Sequence, residues 1–109
     1  MSEAQDAIDR LDSSLAEHGT GQIRITRGAV SVTVNARCLA ARADQVVSRS
    51  SSAQIIYKGV ISSSGLGPLG GELRRNDQVF YNGASRAVLW ANPTSYAGTL
   101  VRIDFEMAG

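Results

Sequence analysis

The chain is short of the residues that usually carry chemistry. Its 109 residues include one cysteine, one histidine, one tryptophan, two prolines and two phenylalanines. A single cysteine cannot close an internal disulfide, so no disulfide framework forms within the chain. That suits a reducing compartment, or a fold that needs no stapling. No run of about 18 apolar residues occurs, so no membrane-spanning helix is expected. The opening MSEAQDAIDRLD has neither a basic start nor an apolar stretch, and does not read as a secretion signal.

The same scarcity leaves few routes to catalysis. His18 stands alone near a helix end, where capping or solvent exposure is the usual role. Cys38 follows strand residues with no second thiol or nearby histidine, which reads as a small buried apolar residue rather than a nucleophile. No His, Cys and acid cluster has metal-ligand spacing. The glycines of GLGPLGG are not followed by the Lys-Ser/Thr of a phosphate loop, nor framed as a strand, tight turn and helix for a dinucleotide. Asp104 and Glu106 are two apart on a strand, which is the spacing of a wet face. An enzyme is not expected: a hydrolase would need a nucleophile and base pair. No cofactor or metal is implied.

What the chain does have is a globular balance, 43% hydrophobic and 19% charged, on a length that fits one domain over 1–109. Its net charge of +1 hides an uneven layout. Residues 1–18 carry Glu3, Asp6, Asp9, Asp12 and Glu17 against Arg10. Residues 19–76 carry seven arginines and Lys58 against Asp44 and Glu72. The acidic head and basic middle either attract each other, within one subunit or between subunits, or form solvated faces. Asp6, Asp9, Arg24 and Arg42 are the candidate inter-subunit charges.

Residues 1–19 read as an N-terminal helix. Ser2 is a suitable N-cap with Gln5 three residues on, Ala4, Ile8, Leu11 and Leu15 make one narrow apolar stripe, and Gly19 is placed to end it in a left-handed conformation. From residue 20 the period changes to two. Ile23 and Ile25 alternate with Arg24 and Thr26, Arg27 and Gly28 make a turn, and Val30, Val32 and Val34 alternate with Ser31, Thr33 and Asn35. Weaker strand signal follows at 44–47, then a polar loop at 48–52. Residues 53–62 form a further strand, with Gly59 marking a possible bulge.

SSSGLGPLGGELRR, residues 62–75, has no period and gives one long loop over 62–76. Leu66 and Leu69 either tuck into the core or meet a partner. Leu66, Pro68, Leu69, Arg74 and Arg75 are the candidate interface residues of this loop. The last third reads as hairpins: Asn82 and Gly83 are a strong type I′ turn signal, Val79, Val88 and Trp90 face a core, and PTSYAG turns from Pro93 to Gly98. In the final strand Val101, Ile103, Phe105 and Met107 make the core face, opposite Leu100, Arg102, Asp104 and Glu106. One helix followed by six or seven short strands is a mainly β fold: a small antiparallel barrel or sandwich.

A small barrel of this kind also suits single-stranded nucleic acid. Arg24, Arg27, Arg37, Arg42, Arg49, Lys58, Arg74 and Arg75 supply cations. Against this, Tyr57 is the one aromatic interleaved with them in sequence, and a pI near 7.9 is low for a dedicated binder.

The order LRRNDQVFYNGASRAVLWANPTSYAGTLVRIDFEMAG, residues 73–109, resembles small head–tail connection proteins of tailed bacteriophages, the lambda-like head–tail joining and head-closure (stopper) proteins. Asn76 and Asp77 stand where that pattern has Gly-Asp, Asn82 and Gly83 supply its hairpin turn, and DAIDRLDSSLAEHG is similar to the helical start of some members. The resemblance implies a structural virion protein without catalytic residues. Copies of it would form a ring in the neck, between portal or adaptor proteins on the head side and tail proteins on the other. DNA would pass through the central channel without sequence-specific binding. Assembly would take place in the bacterial cytoplasm, with no membrane partner. By the same resemblance, loop 62–76 would face the channel or a neighbouring ring, with Arg74 and Arg75 near its exit.

Overall fold

A computed structural model describes residues 3–41 and 56–108 of the chain. Helix α1 (Glu3–His18) is followed by six strands: β1 (Gly21–Arg27), β2 (Val30–Ala41), β3 (Ile56–Ser62), β4 (Gln78–Tyr81), β5 (Ala84–Tyr96) and β6 (Thr99–Ala108). All pairings are antiparallel, and the strands close a barrel in the order β1-β2-β3-β6-β5-β4. The mainly β architecture with an N-terminal helix is therefore a barrel, not a sandwich. Closure leaves most strands without a free edge. The expected N-cap Ser2, Arg42, the weak strand at 44–47 and the loop at 48–52 lie outside the described residues.

Period-two alternation fills the barrel. Ile23 and Ile25 of β1, Val32, Ala36 and Cys38 of β2, Ile61 of β3, and Val79 and Val88 of β4 and β5 are buried together with Ile103, Phe105 and Met107 of β6. Gly59 is not a bulge. Its register runs unbroken from Cys38 across to Phe105, and a Cβ at this position would lie 2.3 Å from the Phe105 ring. The glycine is there because an aromatic ring crosses the strand at contact distance. The irregularities fall elsewhere. Between Val88 and Trp90 the β5 register against β6 shifts, so Val88 sits opposite Met107 while Trp90 sits opposite Glu106. Leu89 is the extra residue of a bulge, and it turns Trp90 from the interior to the outer face. A second shift, between Thr94 and Ser95, leaves Val101 half-buried and packs Leu100 against the core.

The turns are partly as expected. Asn82 and Gly83 have φ of 53° and 81°, the doubly left-handed backbone of a type I′ hairpin. Pro93 does not begin a turn. β5 runs through it to Tyr96, and the reversal is made by Ala97 and Gly98 at φ 50° and 82°. Among the described residues β4 flanks β5 only as far as Ala87. Val88 still exchanges backbone bonds there with Asn76 and Asp77; past it, no described strand pairs with that edge, where a residue without an N–H is tolerated. Gly19 follows α1 but is not left-handed: a Cβ there would meet the Leu15 and Ala36 carbonyl oxygens at 2.3 and 2.7 Å. It lets the helix end press onto the β2 backbone.

α1 lies across β6, β2 and β3 with Ala4, Ile8 and Leu15 buried. Asp12 Oδ1 accepts a hydrogen bond from Ser64 Oγ at 2.7 Å and another from Ser62 Oγ. At the helix start the Tyr96 hydroxyl donates to the Glu3 carboxylate, which lifts the phenol above its ordinary pKa.

Candidate functional site

Two ends of the barrel differ. At one end Arg86 shares a register row with Val79 and stacks its guanidinium 4.6 Å from the Tyr57 ring. Tyr57 meets Tyr81 edge-on at 5.4 Å, and Arg86 Nε donates to the Tyr81 carbonyl at 3.0 Å. Cation, rings and backbone thus cap that mouth. Cys38 lies fully buried beneath, with its backbone N–H donating to Thr20 Oγ1 at 2.9 Å. Burial pushes its thiol up to about 11, against a small opposing effect of Thr20. It is a packed apolar residue, not a reactive one.

The other end is closed by the segment between β3 and β4. The long loop is present, but it is folded around a 3-10 turn at Gly67–Leu69. Leu66, Leu69 and Leu73 are 0%, 3% and 7% exposed and belong to the barrel core. Of the two possibilities for Leu66 and Leu69, the structure places both in the interior, so neither offers an apolar contact surface. Pro68, Arg74 and Arg75 are exposed on the outside of this plug, and the Arg74 side chain pairs with Glu72. Inside the turn, the Gly71 N–H donates to the Leu66 carbonyl at 2.8 Å and the Leu69 N–H to the same oxygen at 2.9 Å.

The plug is clasped by Arg27 and Asp77. Arg27 Nε and Nη2 donate to the two Asp77 carboxylate oxygens at 2.8 and 2.7 Å. Arg27 Nη1 and Nη2 also reach the carbonyls of Leu69 at 2.7 Å and Glu72 at 3.1 Å. Asp77 Oδ2 accepts a further bond from the Arg74 N–H at 2.8 Å. The Asp77 side chain is 4% exposed and Arg27 26%. Burial alone would raise the Asp77 carboxyl, but the bonds from Arg27 and the Arg74 amide and the adjacent positive charges hold it below the usual carboxylate range. Arg27 is raised in turn, chiefly by its bond to Asp77. Asn76 precedes the clasp at φ 75°, a conformation that favours glycine and, among side-chain-bearing residues, asparagine.

The other singled-out charges sit apart. Asp6 and Asp9 are exposed on α1, where the Asp6 carbonyl accepts from Arg10 at 3.4 Å and Asp9 Oδ1 from Gln5 at 2.9 Å. Arg24 lies on the outer face of β1 with its guanidinium 5.2 Å from the Phe80 ring. The structure therefore brings the basic middle and the aromatic last third together, which their sequence separation does not suggest. The clasp was equally hidden, since its partners are 50 residues apart. One signal was available: three successive apolar residues at 88–90 break the alternation of β5, as a bulge does. Among the described residues no group of three or more His, Cys, Asp or Glu is placed to hold a metal ion. No protein-family model, curated protein or solved structure matches this chain.

Proposed function

We propose that the chain is a structural component of the neck of a tailed bacteriophage, one subunit of a ring that joins the portal side of the head to the tail. The observation that carries this reading is the hairpin arm. Residues 92–99, spanning the end of β5 and the start of β6, are all exposed although most are in strands. A two-stranded ribbon is marginal by itself. Such an arm on a closed barrel suits contact with a neighbouring subunit or ring.

The arm and the plug leave the same end of the barrel, joined where the Ser63 N–H donates to the Val101 carbonyl at 3.0 Å. The plug at that end also exposes Pro68, Arg74 and Arg75, which a partner in the neck could meet together with the ribbon. The order of helix, Asn-Asp turn, Asn-Gly hairpin and final strand on which the resemblance rests maps onto α1, the clasp, the β4–β5 turn and β6. Heterologous contacts of one such surface with the next subunit close into a ring when the rotation permits. The double variant Arg74→Glu, Arg75→Glu is the test. It should fold normally, because both side chains are exposed, and it should stop particle production at head–tail joining. Normal infectious yield from that variant would remove the assembly role of this surface.

A further inference from the structure

The outer face of β2, β3, β6 and β5 holds a groove of about 670 Å³, within the ~300–1,000 Å³ range of ligand clefts. Two register rows build it: Leu39, Lys58, Glu106 and Trp90 in one, and Arg37, Val60, Asp104 and Asn92 in the next. Arg37 and Lys58 stand on the β2–β3 side, and Trp90, half-buried, and Asn92, exposed, on the β5 side. Gly59 and Phe105 also line it.

We infer that this groove binds single-stranded nucleic acid without sequence preference, with a base stacked on Trp90 and the backbone phosphates drawn to Arg37. Three observations converge on that ligand. The Leu89 bulge places the chain's one tryptophan on the outer face, half-buried at the groove. The exposed Arg37 stands opposite that ring, a cation facing a stacking platform as single strands use. The half-buried acid of the groove, Asp104, is held by Arg102, whose Nη2 donates to it at 2.8 Å, so it does not oppose a phosphate as a bare charge. Glu106 is fully buried in the row between Lys58 and Trp90. A neighbour's acidic helix is the weaker occupant. α1 already buries its apolar stripe on its own barrel, so it would bring carboxylates but nothing to stack on an indole.

Because Trp90 is the single tryptophan, its fluorescence reports the site directly. The full chain is titrated at low salt with an oligothymidylate of about 16 nucleotides, the upper site size of small barrels. Quenching of Trp90 that saturates, and weakens as salt rises, is the expected result. Arg37→Glu, a change at an exposed position, should weaken binding roughly tenfold or more, and Trp90→Ala, read by anisotropy of a labelled oligonucleotide, by a similar factor. Arg75→Glu, at the plugged end, should leave it within about twofold. Absence of quenching, or equal loss from Arg37→Glu and Arg75→Glu, overturns the site. Competition by polyglutamate as effective as by DNA overturns it in favour of an acidic protein surface.

Discussion

Arg27 and Asp77 meet through two parallel hydrogen bonds of 2.8 and 2.7 Å, 50 residues apart in sequence. The pair joins the end of β1 to the start of β4 and, through the Leu69 and Glu72 carbonyls, fastens the plug across the barrel. Removing Arg27 leaves the Asp77 carboxylate, 4% exposed, without its cation. Arg27→Ala should therefore cost about 3 kcal/mol in urea unfolding, in line with other broken buried pairs. A loss indistinguishable from that of an exposed-site variant would contradict the clasp.

The same pair sets a pH dependence. Asp77 titrates below its unfolded value of about 3.9. Its stabilisation is thus complete above that unfolded value and declines as pH falls through the lower folded value. Acid titration of stability should show Asp77→Asn losing less between about pH 4 and pH 2 than the parent chain. Parallel curves for the two would exclude Asp77 as a contributor.

Gly59 and Phe105 make a second coupled pair. Gly59→Ala puts a methyl group into the ring, and should destabilise by about 1–3 kcal/mol through overpacking. Phe105→Leu costs stability by itself but removes the obstacle. The double variant should then be less destabilised than the sum of the single changes. Additive losses would mean that the glycine serves some other purpose.

The plug is a packed element, and amide exchange can show it. The Leu69 and Gly71 amides, both bonded to the Leu66 carbonyl, should exchange far more slowly than free amides in the isolated chain. Leu69→Ala should cost about 2–5 kcal/mol as a core truncation. Free exchange at Gly71 together with a near-neutral Leu69→Ala would contradict the burial of this segment.

Cys38 supplies an independent probe of the interior. With its thiol pushed up to about 11 by burial, a disulfide reagent near neutral pH should label it only as fast as the barrel opens. Rapid labelling in the native state would show an open mouth where Arg86, Tyr57 and Tyr81 make a cap.

Much of the fold was legible in the residues. The change from a helical stripe in 3–18 to alternation after Gly21, the Asn82 and Gly83 hairpin, and the inward set Ile103, Phe105 and Met107 all follow from local rules that tertiary context did not override. The misreadings share a cause. In sequence Gly19 and Gly59 suggest backbone freedom, yet both are needed for close approach, by carbonyls of α1 and β2 in one case and by an aromatic ring in the other. Strict alternation from Val88 points Trp90 inward, and one extra residue reverses that parity. Pro93 reads as a turn until the open edge of β5 is seen. The candidate sites were the least legible, because the clasp and the groove are each made by strands far apart in the chain.

The proposed role in the neck is tested most directly by electron microscopy of purified particles carrying a label on this chain. Label confined to the head–tail junction, at several copies per particle, is the expected result. Particles without label, or label along the tail or over the capsid surface, would contradict it.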